Sequence, residues 1–183
     1  MKKTLITILV TVLVCGSVFG TTLALLMDST DPITNTFTVG DINITLTESK
    51  TADADGLRTF KMVPGTNIVK DPKVTVLKDS EACYLFVKVV ESENFGDFMT
   101  YGMAEGWKIV PGETNVYCRE VDATTADTEF NVLAGNIVTV GQNVTKDDLA
   151  AAKTSAPTLT FTAYAVQSEG VADATAAWAN FKS

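Results

Sequence analysis

Apolar residues in this chain recur at every second position, in short runs cut by turn residues, and that spacing favours strands over helices along most of its length. In Asp41 to Thr47, Ile42, Ile44 and Leu46 alternate with Asn43, Thr45 and Thr47. Thr158 to Thr162 alternates in the same way and runs on into Ala163-Tyr164-Ala165-Val166. Tyr84 to Val90 is the most apolar run and is expected to be a central strand. Leu57 to Val63, closed by Pro64-Gly65, reads as a weaker strand, and Lys73 to Leu77 follows Pro72 with a β-branched centre. Trp107 to Val110 (ending at Pro111-Gly112), Val116 to Val121 and Ile137 to Val140 complete the set, while Asn94 to Gly106 reads as a loop with one helical turn.

Helical signals are confined to two places. Thr145 is a good N-cap for Lys146 to Lys153, with Asp147 and Asp148 near the positive end of the helix dipole. Ala172 to Phe181 is alanine-rich and is expected to dock through Trp178 and Phe181. Many short strands with one or two short helices predict an all-β fold, a jelly-roll or immunoglobulin-like β-sandwich.

The first residues set the compartment. Lys2 and Lys3 precede an uncharged apolar stretch from Leu5 to Phe19, and small residues follow at Thr22 and Ala24. This pattern predicts a secretory signal peptide cut between Ala24 and Leu25. The apolar character continues through Leu25-Leu26-Met27, so an uncleaved anchor is the competing reading; Gly16, Ser17, Gly20, Thr21 and Thr22 interrupt it. A lipoprotein reading of Cys15 meets bulky Val14 where a small residue is wanted. The expected organisation is a signal peptide over 1–24, an N-terminal arm over 25–40 and a β-sandwich domain over 41–183. Cleavage takes two lysines and no acid, moving the net charge from −8 to −10. So acidic a chain lacks the clustered cations that nucleic acid or an anionic membrane surface requires, and no stable membrane insertion is expected after cleavage.

The chain contains no histidine. Histidine-based triads, Cys-His dyads and HExxH zinc sites are therefore excluded, and neither a catalytic residue nor a metal or other cofactor is expected. Cys83 and Cys118 would lie in an oxidising compartment, where a bridge between them is permitted; the alternative is two small buried apolar residues. Asp53, Asp55 and Gly56 resemble the start of a calcium loop but lack its closing acid. Asn43-Ile44-Thr45 and Asn143-Val144-Thr145 match the glycosylation sequon, and Tyr101, Trp107 and Tyr117 are candidate sugar-stacking aromatics.

The leader followed by Thr34-Asn35-Thr36-Phe37-Thr38-Val39-Gly40-Asp41-Ile42-Asn43-Ile44-Thr45-Leu46-Thr47-Glu48 resembles the secreted TasA/camelysin group, whose signal peptides are handled by a dedicated SipW-type signal peptidase in Gram-positive bacteria. Val63-Pro64-Gly65 with Lys70-Asp71-Pro72, Cys83 to Val89, and Phe161 to Gln167 look like the same group, in the same order. The resemblance implies a jelly-roll subunit of extracellular biofilm-matrix fibres, in which the N-terminal segment of one copy adds as a strand to its neighbour. Partners would then be copies of itself in a head-to-tail polymer, or paralogous fibre subunits. On that reading the donor strand is the arm bearing Leu25, Leu26, Met27, Ile33 and Phe37. Pro32 suits an edge or bulge position within it. The group also implies an enzymatic alternative, a camelysin-like metalloprotease, which here would need cysteines and carboxylates as its ligands. A monomeric surface adhesin binding glycans is the third expectation.

Overall fold

Val74, Val76, Leu85, Phe86 and Val87 have no exposed surface, and the alternation on either side of them decides how the sheets close. The structure, a computed structural model, describes residues 41–50 and 58–182. Within them run β1 (Ile44–Thr47), β2 (Asn67–Val69), β3 (Lys73–Val76), β4 (Cys83–Glu91), a single helical turn α1 (Phe95–Phe98) and β5 (Met99–Thr100). There follow β6 (Lys108–Ile109), β7 (Val116–Val121), β8 (Thr128–Asn131), a 3-10 turn (Ala134–Asn136), β9 (Ile137–Val140), α2 (Lys146–Ala152), β10 (Leu159–Gln167) and α3 (Ala174–Ala179). All ladders are antiparallel, in three sheets ordered β1-β3-β8, β10-β4-β7-β6 and β2-β9-β5. The fold is all-β and sandwich-like, as the strand spacing predicts.

The two faces of β4 explain the layering. Cys83, Leu85, Val87 and Val89 point into a core shared with Val74 and Val76 of β3 and Val138 and Val140 of β9, so all three sheets close around one interior. Tyr84 and Phe86 point the other way, into a second cluster with Val116 and Cys118, and α3 covers it with Ala177 and Trp178. A strand buried on both faces reads as a continuous apolar run, which is why Tyr84 to Val90 does not alternate. The Trp178 ring lies 5.3 Å from Phe86, 5.2 Å from Tyr164 and 5.4 Å from Phe181. The C-terminal helix thus docks through Trp178 and Phe181, although it is shorter than expected and opens at Asp173, whose carboxylate caps Ala176 N. Helix α2 starts at Thr145 with a reciprocal box: Thr145 Oγ1 accepts from Asp148 N, and Asp148 Oδ2 accepts from Thr145 N.

The structure departs from the expected strands in two places and favours one of the two readings of the cysteines. Residues 58–63 form no strand: the Thr59 carbonyl accepts from Lys50 Nζ, and the Val63 carbonyl accepts from the amide and hydroxyl of Thr66. The Pro64-Gly65 turn, with Gly65 at φ 73°, therefore opens strand β2 and does not close an earlier one. β8 is hidden by its composition, since Thr128-Glu129-Phe130-Asn131 has one apolar residue and takes its form from pairing with β3. Of the two readings of Cys83 and Cys118, the structure places them as separate buried residues. Both thiols are free and buried, on adjacent strands, but Cys83 lies opposite Val121 on the inner face while Cys118 lies opposite Phe86 on the outer one. No rotamer brings sulfurs together through the sheet. Burial pushes the Cys83 thiol up to about 11, and burial with Glu120 nearby also raises Cys118.

Candidate functional site

Leu46 is paired across β1 and β3 with Val74, so both side chains belong to the inward face; Val74 is 0% exposed, but Leu46 is 37% exposed. The difference marks a place where the sandwich is open. No described strand pairs with the outer edge of β1 or with the outer edge of β10, and these two edges approach each other without forming a ladder. Between them lies a groove of about 560 Å³. Leu46 lines one wall, Leu159 and Phe161 the other, and Ile68, Phe95, Met99 and Val138 reach it from the core.

The mouth of the groove carries charge. Lys70 Nζ donates to both oxygens of Glu48 at 2.9 Å, and the two side chains are 11% and 10% exposed. Arg58 Nε stands 3.6 Å from Glu48 and donates to the Lys50 carbonyl at 2.6 Å. Phe60 is flanked by two ammonium groups, Lys50 at 4.2 Å and Lys70 at 5.2 Å from the ring centre, and Lys70 also lies 5.4 Å from Phe161. Segment 58–62 is thus tied down by side chains where a strand would use backbone bonds. Beside it, Ser49 N donates to Asp71 Oδ1 at 3.1 Å. Burial pushes the Asp71 carboxyl up, but the Ser49 bonds and Lys73 outweigh it and leave its pKa below the ordinary value. One trace of this cluster is visible in the sequence: Glu48 continues the inward positions of Ile42, Ile44 and Leu46, so an acid stands where the pattern asks for an apolar residue.

The residues expected to carry function are distributed as follows. Ala24, Leu25, Leu26, Met27, Ile33 and Phe37, and likewise Asp53, Asp55 and Gly56, lie outside the described residues. Of the candidate sugar-stacking aromatics, Trp107 is buried and donates from Nε1 to the Asn131 carbonyl at 2.8 Å. Tyr101 is half-buried with its hydroxyl on Glu91 at 2.7 Å; burial, and then Glu91, hold the phenol well above its usual pKa. Tyr117 is half-buried on the inner face and packs against the main core, so the three do not form an exposed platform. Both sequon asparagines, Asn43 and Asn143, are exposed. The two cysteines that a histidine-free zinc set would draw on face opposite sides of one sheet. Comparison of the chain with protein-family models, with curated proteins and with solved structures finds no match.

Proposed function

We propose that this chain is a secreted structural protein that assembles into extracellular, biofilm-matrix fibres by donating its N-terminal arm as a strand to a neighbouring copy. A leader over residues 1–24, removed by a dedicated signal peptidase, frees the arm from Leu25 onward. The observation that carries the reading is the open seam: Leu46 sits on an inward face yet is 37% exposed, above a groove bounded by the unpaired edges of β1 and β10. Two facing strand edges over apolar residues are what an added strand needs. Backbone groups on the edges supply affinity, and alternate side chains fill the groove. Ile33, Phe37 and Val39 fall on one face of an extended chain, with Thr34, Thr36 and Thr38 on the other, which suits a half-buried strand. Donation from one copy to the next is head-to-tail and does not close, so filaments follow. The resemblance to the TasA/camelysin group points the same way.

The test is negative-stain electron microscopy of two purified proteins, one beginning at Leu25 and one at Phe37. Fibres from the longer protein alone are expected. Fibres from both would move the contact away from the arm, and monomers from both, across salt and acidic pH, would overturn self-assembly. A synthetic peptide of residues 25–40 added to the shorter protein is expected to raise its melting temperature by filling the groove.

A further inference from the structure

Beyond the point where β6 stops pairing with β7, Arg119 reaches Phe130 of β8, the edge of the β1-β3-β8 sheet away from β1, and this cation has no counter-charge among the described residues. Arg119 lies opposite Leu85 in the β4–β7 ladder and so points to the inner face. Its guanidinium carbon sits 4.0 Å from the centre of the Phe130 ring and 5.4 Å from that of Trp107. The bond from Trp107 Nε1 to the Asn131 carbonyl fixes one of these walls. Gly106 forms the ceiling: at φ 89° it brings its backbone so close that a Cβ there would stand 2.7 Å from Arg119 Nη2.

Among the described residues no acceptor is found for Arg119. Nε is buried with no acceptor, and among the described residues no carboxylate forms an ion pair with the side chain. The neighbouring acid Glu120 is turned to the other face by strand alternation, opposite Tyr84. In a sequence with 22 acidic residues and two arginines, this vacancy is not for want of partners. Burial lowers the guanidinium pKa, and no carboxylate offsets that effect. Aromatic rings stabilise such a cation through their faces, but they offer its N–H groups no conventional acceptor.

We propose that Arg119, held between Phe130 and Trp107 under Gly106, is a receptor for a carboxylate, presented either by a small free acid or by a side chain of a second copy of this chain. A planar carboxylate matches the in-plane fork of a guanidinium, and the two rings hold that fork in a fixed orientation. The proposal does not depend on arm exchange, since the site lies across the sandwich from the groove.

Arginine Nε–H resonances in proton–nitrogen spectra of the processed chain, held monomeric by dilution, supply the test. Arg58, the other arginine, is the internal control. Sodium acetate is expected to move the Arg119 signal saturably and leave Arg58 in place, beyond any change from sodium chloride at equal ionic strength. Arg119→Lys, with its spectrum otherwise preserved, is expected to weaken acetate binding about tenfold or more, because an ammonium lacks the fork. The same displacement on raising protein concentration without acetate would identify the second copy as the source. Equal shifts with acetate and chloride, or no shift with acetate and none with concentration, would overturn the proposal and leave the two rings as sufficient complement to the charge.

Discussion

Replacing Glu48 by glutamine removes one charge and almost no volume, and the groove is expected to answer with a large loss of stability. Lys70 Nζ would keep one neutral amide oxygen as acceptor but lose the carboxylate charge and the second of its two 2.9 Å bonds, while remaining about nine-tenths enclosed. Arg58, 3.6 Å from Glu48 in the native protein, would then face Lys70 as an uncompensated like charge. Breaking a buried pair from one side costs about 3–5 kcal/mol; the open groove and the surviving contacts of Lys70 with Phe60 and Phe161 place this case near 3 kcal/mol. For a domain of this size that is a fall of roughly 6–12 °C in Tm. Urea unfolding followed by the fluorescence of Trp107 and Trp178 measures it. The double variant Glu48→Gln with Lys70→Met leaves no buried unpaired charge, since the Arg58 side chain is 36% exposed, and is expected within about 1 kcal/mol of the native protein. A single-variant loss below about 1 kcal/mol, the range of exposed pairs, would refute the reasoning, as would a double variant no better than Glu48→Gln.

Other perturbations probe the remaining parts of the fold. Trp178→Ala should cost about 3–5 kcal/mol, since it empties the space between Phe86, Tyr164 and Phe181; Trp178→Phe should cost clearly less, because Nε1 has no partner to lose. Gly106→Ala should cost about 2 kcal/mol or more in urea unfolding, from positive φ and the close contact with Arg119; adding Arg119→Met should recover the contact part only. In the protein beginning at Leu25, neither Cys83 nor Cys118 should react with a thiol reagent at pH 8 until denaturant is added, because Cys83 is enclosed with its thiol pushed up to about 11 and Cys118 is only 9% exposed. Rapid labelling of the folded protein would contradict this enclosure, and a Cys83–Cys118 disulfide found by mass spectrometry would contradict the opposite-face geometry.

Where neighbours along the chain decide conformation, the sequence is a sufficient guide. Thr145 three residues before Asp148 makes its capping box from local bonds alone, and the period-two runs became strands from Ile44 to Thr47 and from Leu159 onward. Residues 58–63 read as a strand and are not one: the Val63 carbonyl is taken by the local turn to Thr66, while the Thr59 carbonyl accepts from Lys50, a contact that depends on where a lysine side chain lands in space. β8, with Phe130 as its single apolar residue, exists because β3 offers an edge to pair with.

Alternation along the chain therefore determined the class of this protein, since a period of two can bury its apolar face only in a sheet. Tertiary structure alone decided the sites. The face on which each cysteine stands depends on the register of β4 against β7, and one residue of slip would exchange them. The open groove between β1 and β10, the Glu48–Lys70 pair at its mouth and the clamp on Arg119 join residues far apart in sequence. Such contacts come from how sheets stack and which edges stay unpaired; the local pattern shows only that Glu48 is an acid at an inward position, not what it meets there.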